Sequence, residues 1–300
     1  MAKDFNGNPP MKILYIAQHN QANNDDEGSI TAGLLGLGHR VYCFSPSNLS
    51  HDLPDLVELA KEHWDFVLFH KLPISYVNYI CEKWRGVCWF FDPLRKGFTS
   101  NDNYIDLIEP WLYRGFFTDG DYVQEKNDPR IIDLKQGFDG ISNTTQKIGE
   151  THTERDVLFI GTAGVPGYEK RTELLDTVVE RYGEEAVHTR YSIFKDELLI
   201  QVRNTKIMLA MPPVTDHYWS NRVYLLGGRG ACLVHPFSKG LFQEFGNCIS
   251  FFFSSGDMIR VVDELLAKPS VRHNNALDLQ KEVWKNHCYH HRVKELVDQL

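Results

Sequence analysis

The stretch His217–Pro236, HYWSNRVYLLGGRGACLVHP, joins residues that could bind an anion to a run that predicts a short helix. Trp219, Ser220, Asn221 and Arg222 stand where that helix would begin. Serine and asparagine are favoured at a helix N-cap, but a cation has the wrong sign for the positive end of the helix dipole. A bound diphosphate would explain Arg222, because guanidinium groups bind phosphate through paired, charge-assisted hydrogen bonds.

The segment Gly161–Arg171, GTAGVPGYEKR, offers a second anion site at the end of an apolar strand. Its glycines let the backbone approach a ligand, and Lys170 and Arg171 add positive charge at the start of the next helix. An ordinary strand-to-helix loop with surface charges explains this segment equally well, so the two interpretations stay open here.

A third strand-to-helix junction lies in HPFSKGLFQEF. The backbone N–H groups of Lys239, Gly240 and Leu241 could meet another ligand oxygen. Glu244 is placed to accept hydrogen bonds from hydroxyl groups.

Three side chains in the first half are candidates for a general base. Asp92, His70 and His19 each follow an apolar run, at the predicted carboxyl end of a strand. Asp92, in WFFDPLR, is the preferred candidate. Each of the three can also be an ordinary polar residue of a loop.

Composition excludes several classes of protein. The net charge of −8 argues against a general nucleic-acid binder, although Arg95, Lys96 and Phe98 could meet an anionic or planar acceptor. The six cysteines form no C-x-x-C pair, which predicts reduced, buried thiols in a cytoplasmic protein. The polar residues Met1–Pro10 predict no signal peptide, and the lack of a run of about 18 apolar residues predicts no membrane span. HCYHH places His287 and His291 four residues apart, but too few ligands accompany them, so no metal is predicted.

Apolar strands and amphipathic helices alternate through the chain in two series. Buried strands such as DFVLFH, GVCWFFD and DVLFIG are typical of parallel sheets with right-handed crossovers. We therefore predict an α/β protein of two Rossmann-like domains with parallel sheets facing a cleft, at residues 11–150 and 151–285. Residues 1–10 are predicted as a flexible arm, and 286–300 as a C-terminal helix that could cross back to the first domain.

The run YWSNRVYLLGGRGACLVHPFSKGLFQEF resembles the carboxyl-half signature of GT-B glycosyltransferases. The nearest group is the spore-maturation-protein type, allied to family 4 enzymes. DVLFIG, LKQGFD and HCYHHR also resemble segments of that family in the same order. The resemblance is specific from about Asp156 to Arg292 and rests on element order in the first 145 residues.

The resemblance implies a transferase that moves a sugar from a nucleotide-diphosphate sugar, such as a UDP- or GDP-sugar, without a tightly bound cofactor. The first domain would bind the acceptor and the second the donor. Arg171 and Arg222 would hold the diphosphate, and Ser220 and Asn221 would contact phosphates or ribose. Lys239, Gly240 and Leu241 would lie against sugar and phosphates, with Glu244 near hydroxyls. The family has glutamate where this chain has Leu225, so another residue, for which Glu244 is the candidate, must hold the ribose.

Three functions remain open from the sequence. One is a glycosyltransferase acting on a glycan, protein, metabolite or modified nucleobase in DNA. Another is a GT-B-fold nucleotide-sugar epimerase. The last is a non-catalytic nucleotide-sugar binding protein, which the Leu225 departure permits. Donor, acceptor, stereochemical outcome and oligomeric state are not determined by the sequence.

Overall fold

A computed structural model describes residues 9–17, 26–46, 53–59, 61–94, 102–140, 155–162, 169–188, 193, 195–211 and 215–300. The chain forms two compact units. The first comprises Met1–Lys135 with Tyr289–Leu300, and the second comprises Gln136–Cys288. The polar run Asn143–Asp156, which has no apolar period and is typical of a linker, lies outside the described residues except for its last two positions.

The first unit is built on a six-stranded, entirely parallel sheet of order β2-β1-β3-β4-β5-β6. Its strands are β1 (Lys12–Ile16), β2 (Arg40–Phe44), β3 (Phe66–Phe69), β4 (Gly86–Phe90), β5 (Arg114–Phe117) and β6 (Ile131–Asp133). Its helices are α1 (Asp26–Gly36), α2 (Leu53–Leu59), α3 (Ile74–Lys83), α4 (Asp102–Ile108) and α5 (Gly120–Lys126). The last helix of the chain, α12 (Tyr289–Asp298), also belongs to this unit.

Burial explains which runs form the central strands. Every residue of β3 and β4 is buried, because helices cover both faces of a parallel sheet. β2 lies at the edge of the sheet and is largely exposed, so Cys43 is exposed too, contrary to the prediction of buried thiols. Cys88, Cys232 and Cys288 are buried, as expected.

Helix α1 begins earlier than the sequence suggests. The run GSITAGLLGLG offers Ser29 or Thr31 as a helix cap, but the helix already starts at Asp26. Ser29 is buried inside it, and the Thr31 hydroxyl donates back to the Glu27 carbonyl at 2.8 Å. Acidic residues in the first turn complement the helix dipole, which supports the earlier start.

The second unit holds a five-stranded parallel sheet of order β11-β10-β9-β7-β8. Its strands are β7 (Arg155–Ile160), β8 (Val187–His188), β9 (Thr205–Leu209), β10 (Leu233–Pro236) and β11 (Ser250–Phe252). Its helices are α6 (Glu169–Tyr182), α7 (Lys195–Arg203), α8 (Arg222–Gly228), α9 (Lys239–Phe245), α10 (Ser255–Ala267) and α11 (Pro269–Asn286). Among the described residues, no helix is long and apolar enough to cross a membrane.

The carboxyl end of α8 is fixed inside this unit. Arg229 forms an ion pair with Asp139 at 3.0 Å, and both side chains are 2% exposed. Gly228 is required there, because a Cβ would come within 2.6 Å of the Phe138 ring. The Gly228 carbonyl also accepts a hydrogen bond from the indole of Trp284 at 2.8 Å. These contacts hold the short helix whose first residue is Arg222.

Candidate functional site

Arg222 and Gly161 are in direct contact at the carboxyl end of β7. A Cβ on Gly161 would lie 2.8 Å from Nη2 and 2.9 Å from Cζ of Arg222, and 2.9 Å from Cζ of Phe159, so a larger residue there would have to displace these groups. The first residue of α8 therefore reaches across to the end of another strand. The sequence placed Arg222 and the segment that begins at Gly161 at two separate candidate anion sites, and the structure brings these two residues together.

Arg171 lies in the first turn of α6 and is buried, with 7% of its surface exposed. Its Nε donates to the Met211 carbonyl at 2.6 Å, and its Nη1 donates to the Thr162 carbonyl at 3.0 Å. Those carbonyls follow β9 and β7, which are neighbours in the sheet. Arg171 thus joins two strand ends, a role that the sequence did not reveal. Lys170 beside it is exposed.

The ring of Phe159, a fully buried residue of β7, links the two arginines. The Cζ atoms of Arg171 and Arg222 each lie 6.0 Å from its centroid, where the face of an aromatic ring attracts cations. Two positive charges around one ring at a strand end form a site suited to a group with two negative charges. Of the segment GTAGVPGYEKR, residues 163–168 lie outside the described residues.

The turn before α8 is joined to the start of α9. The Asp216 carbonyl accepts the Gly240 N–H at 2.7 Å and the Ser238 hydroxyl at 3.0 Å. A Cβ on Gly240 would lie 3.0 Å from the Trp219 ring, so glycine allows this close approach. The Gly240 N–H, one of three that the sequence offered to a ligand, is therefore used within the protein. Leu241 is buried in the core and Lys239 is exposed.

Ser220 and Asn221 are half-buried before α8. Asn221 is the N-cap residue, but its backbone is helical, with φ −56° and ψ −14°, and no side-chain capping bond forms. The expected position of the cap is right, whereas the expected side-chain capping does not occur. The Asn221 carbonyl instead accepts the Leu225 N–H at 2.9 Å.

A chain of hydrogen bonds runs from the pre-helix cluster into the unit. The Trp219 indole donates to the Tyr224 hydroxyl at 2.9 Å, and that hydroxyl donates to Oε1 of Glu244 at 3.1 Å. Nδ1 of His287 lies 3.0 Å from the same carboxylate oxygen. Trp219 and His287 are buried and Glu244 is half-buried. Glu244 is thus already engaged by two protein groups.

The sequence predicted one helix over residues 286–300, which would hold both His287 and His291. In the structure the two histidines are not on one helix. His287 is the C-cap of α11, and α12 begins at Tyr289. Leu225, which stands where the family pattern has glutamate, packs against the hydrophobic core of the second unit.

His70 follows β3 in the first unit. Its Nδ1 lies 2.8 Å from the Trp89 carbonyl, which can only accept, so Nδ1 carries the proton. Nε2 then accepts from the Tyr15 hydroxyl at 2.5 Å. Burial, reinforced by the negative charge of Glu27, raises the pKa of Tyr15 well above its usual value, so this tyrosine stays protonated. The lone pair that a base would use is therefore occupied by Tyr15.

Asp92 is exposed two residues after β4, in a segment that β5 and α5 hold in place. The Thr118 hydroxyl donates to the Phe91 carbonyl at 2.9 Å. The buried carboxylate of Asp119 accepts the Leu94 N–H at 2.9 Å. His19, Arg95, Lys96 and Phe98 lie outside the described residues.

Several residues at these sites were missed by sequence reasoning. The sequence indicated no site role for Phe159, Tyr224 or Asp119 beyond a place in a strand, a helix or a loop. Tyr224 carried one weak signal, since a buried tyrosine hydroxyl usually has a partner. The role of Asp216 depends on a main-chain carbonyl, which no side-chain pattern can indicate.

Residues 143–298, more than half of the chain, match the family model described as "Glycosyl transferase-like". No curated protein sequence matches the chain.

Three solved structures are similar to this chain over nearly the whole length of both chains. Sucrose-phosphate synthase from Thermosynechococcus elongatus has a TM-score of 0.66 at 10% identity, over 96% of this chain and 98% of the other. T4 phage BGT in complex with UDP-glucose has a TM-score of 0.58 at 14% identity, over 96% and 97%. Spinosyn forosaminyltransferase SpnP has a TM-score of 0.51 at 14% identity, over 97% and 99%. At these identities the likeness shows the fold, and the predicted fold class is confirmed.

Proposed function

Since the chain belongs to the glycosyl transferase-like family and has the GT-B fold, we propose that it transfers a sugar from a nucleoside-diphosphate sugar to an acceptor hydroxyl. The donor is a UDP- or GDP-sugar. UDP-glucose is the substrate named for T4 phage BGT, a protein of similar fold. The likeness to the spore-maturation-protein type remains part of this proposal.

The observation that carries the proposal is the pair of arginines around Phe159. Arg222 lies against Gly161, and Arg171 is fixed to the ends of β7 and β9. The Arg171 guanidinium is held in place before any ligand arrives, and that of Arg222 lies against Gly161 and the Phe159 ring, so little conformational entropy is lost when a diphosphate binds. We assign the main contact with the phosphates to Arg222, because it is the less buried of the two arginines.

The reaction breaks the bond between the anomeric carbon and the diphosphate oxygen and forms a bond from that carbon to the acceptor oxygen. The electron pair of the broken bond leaves with the diphosphate, whose growing charge the arginines stabilise. In an inverting reaction, the hydroxyl proton passes to Asp92. His70 is the weaker candidate, because its Nε2 accepts from Tyr15.

The other site residues take supporting roles. Ser220, Asn221, Lys239 and Lys170 contact phosphates or ribose through groups at the surface. Gly240 and Leu241 shape the wall of the site. Glu244 fixes Tyr224 and Trp219, and its contact with ribose requires its second carboxylate oxygen.

The test is binding and turnover with UDP-glucose, UDP-N-acetylglucosamine and GDP-mannose. We expect calorimetric binding of at least one donor and slow release of its nucleoside diphosphate. Arg222→Ala should weaken binding about 10–100-fold, the equivalent of one or two charge-assisted hydrogen bonds. Arg222→Lys should recover part of it. Arg260→Ala, which removes an exposed arginine of the same unit, is the control.

Other outcomes would assign a different function. Conversion of the sugar without an acceptor would indicate an epimerase. Donor binding without hydrolysis or transfer to any acceptor would indicate a binding protein. Offered acceptors should include glycans, proteins, metabolites and DNA with hydroxymethylated bases. If no donor binds, or if Arg222→Ala binds as tightly as the wild type, the proposal fails.

A further inference from the structure

A groove of about 630 Å³ lies in the first unit, beside the edge strand β2 and helix α2. Its volume is in the range of small-molecule binding sites. The lining consists of three aromatic residues, three charged residues and one leucine: Tyr42, Phe44, Trp64, Lys12, Glu58, Glu62 and Leu59. None of them is assigned to sugar transfer.

The floor of this groove is rigid. Trp64 is 4% exposed, and its indole donates to the Leu59 carbonyl at 3.0 Å. Nζ of Lys12 lies 4.5 Å from the centroid of the Trp64 ring and 2.7 Å from the Glu62 carboxylate. An ammonium donor and a carboxylate acceptor are therefore preset side by side above an aromatic ring.

The wall of the groove is aromatic and accessible. Tyr42 is 52% exposed, and its ring centroid lies 5.8 Å from that of Trp64. Because side chains alternate along a strand, Tyr42 and Phe44 share one face of β2. Tyr42 thus offers an open ring beside the Lys12–Glu62 pair.

The chemistry of the lining narrows the class of ligand. Glu58 pairs with Lys61 at 2.5 Å and Glu62 pairs with Lys12 at 2.7 Å, so the charges around the groove balance and favour neither an anion nor a cation. The Lys12 ammonium lowers the pKa of Glu62, so this carboxylate stays ionised at neutral pH. A purely apolar ligand would strip water from these charged groups without offering them a hydrogen bond in return. A sugar ring has apolar C–H faces for Tyr42 and hydroxyls that both donate and accept, which matches the whole set.

We propose that this groove is a binding site for a neutral pyranose, distinct from the site of transfer. Lys12 begins β1 and Trp64 precedes β3, at the amino ends of these strands. His70 and Asp92 follow the carboxyl ends of β3 and β4. The groove extends along the edge strand β2 as far as its last residue, Phe44, and β1 and β3 separate that strand from β4. Binding of a pyranose to this groove requires neither a donor nor a transfer reaction.

The experiment titrates the full-length protein with the methyl pyranosides of glucose, galactose, mannose and N-acetylglucosamine. Saturation-transfer NMR and calorimetry report binding without any donor present. We expect at least one pyranoside to bind saturably. Tyr42→Ala should weaken it about threefold to tenfold, the loss of one aromatic contact. Glu62→Gln, at a mostly exposed side chain that does not threaten the fold, should weaken it as well.

Trp111→Ala and Glu82→Gln are matched controls, because they remove an exposed aromatic ring and an exposed carboxylate of the same unit outside the groove. Both should bind the pyranoside like the wild type. Absence of saturable binding to all four pyranosides would overturn the inference. So would binding that Tyr42→Ala and Glu62→Gln leave unchanged, or stronger binding of tetramethylammonium, which would assign the groove to cations.

Discussion

The guanidinium of Arg222 occupies the space that a side chain on Gly161 would need. A Cβ at position 161 would lie 2.8 Å from Nη2 of this arginine, closer than real Cβ contacts allow. The end of β7 and the beginning of α8 are therefore matched to each other. The position of Arg222, which we propose binds the diphosphate, therefore depends on Gly161, a residue that has no side chain of its own.

Gly161→Ala should mimic the loss of Arg222 while Arg222 is still present. The new methyl group displaces the guanidinium, so we expect UDP-sugar affinity to fall about tenfold. Calorimetry measures the effect, and a melting curve monitors the fold. The control is Gly256→Ala in α10, because a Cβ there meets no atom within 4 Å. Unchanged affinity in Gly161→Ala would show that the position of Arg222 does not matter for the donor.

Tyr224→Phe should destabilise the second unit and disturb the donor site. It removes the hydroxyl that joins Trp219 to Glu244, and so it leaves an indole N–H and a carboxylate without that partner. We expect a loss of about 1–3 kcal/mol in the free energy of unfolding, measured in urea. Tyr182→Phe, whose hydroxyl bonds the partly exposed Asp263, is the control and should change stability less. Equal, small changes in both would remove the network as a stabilising feature.

The sequence predicted the parts of the site that depend on charge and strand ends. Arg222 is conspicuous because a cation begins a helix, and Gly161 because glycine ends an apolar strand. The sequence could not predict that Arg171 donates a hydrogen bond to the Met211 carbonyl. This bond joins a side chain of α6 to the main chain after β9, 40 residues away. Such pairings arise from tertiary packing, which local pattern does not encode.

The same limit applies to Glu244 and His287. The sequence offered Glu244 to a ligand and considered His287 with the other histidines of HCYHH. In the structure these two side chains meet at 3.0 Å, from α9 and the end of α11. This contact depends on where the helices end. α11 ends just before His287 and α12 begins at Tyr289, so His287 does not lie on the same helix face as His291. A single sequence places such breaks least well.

Asp92→Asn tests the proposed general base. We expect turnover to fall about 100-fold or more, because general-base catalysis typically contributes that much. Donor affinity should stay near the wild-type value, since Asp92 is not assigned to the phosphates. Steady-state kinetics and calorimetry separate the two effects. Asp106→Asn, at an exposed carboxylate of the same unit, is the control. Similar small losses in turnover and affinity would exclude Asp92 as the base.

His235 should make the stability of the second unit depend on pH. It is 1% exposed in β10, and burial lowers its pKa to about 4, while Nδ1 donates to the Pro236 carbonyl. The unfolded chain takes up a proton near pH 6.5, but the folded chain does not until about pH 4. The stabilisation from keeping His235 neutral is therefore complete above pH 6.5 and is lost as the pH falls, by up to about 3 kcal/mol.

His235→Gln removes this titration and keeps a neutral polar side chain. The variant should therefore lose less stability than the wild type between pH 7 and pH 4.5, as measured by urea midpoints at each pH. Other groups titrate in the same range, so the difference between the two proteins, rather than either slope, isolates His235. His273→Gln, at an exposed histidine of α11, controls for loss of a histidine and should follow the wild-type profile. Parallel profiles for His235→Gln and the wild type would mean that His235 is protonated in the folded protein, which its burial beside Phe251 opposes.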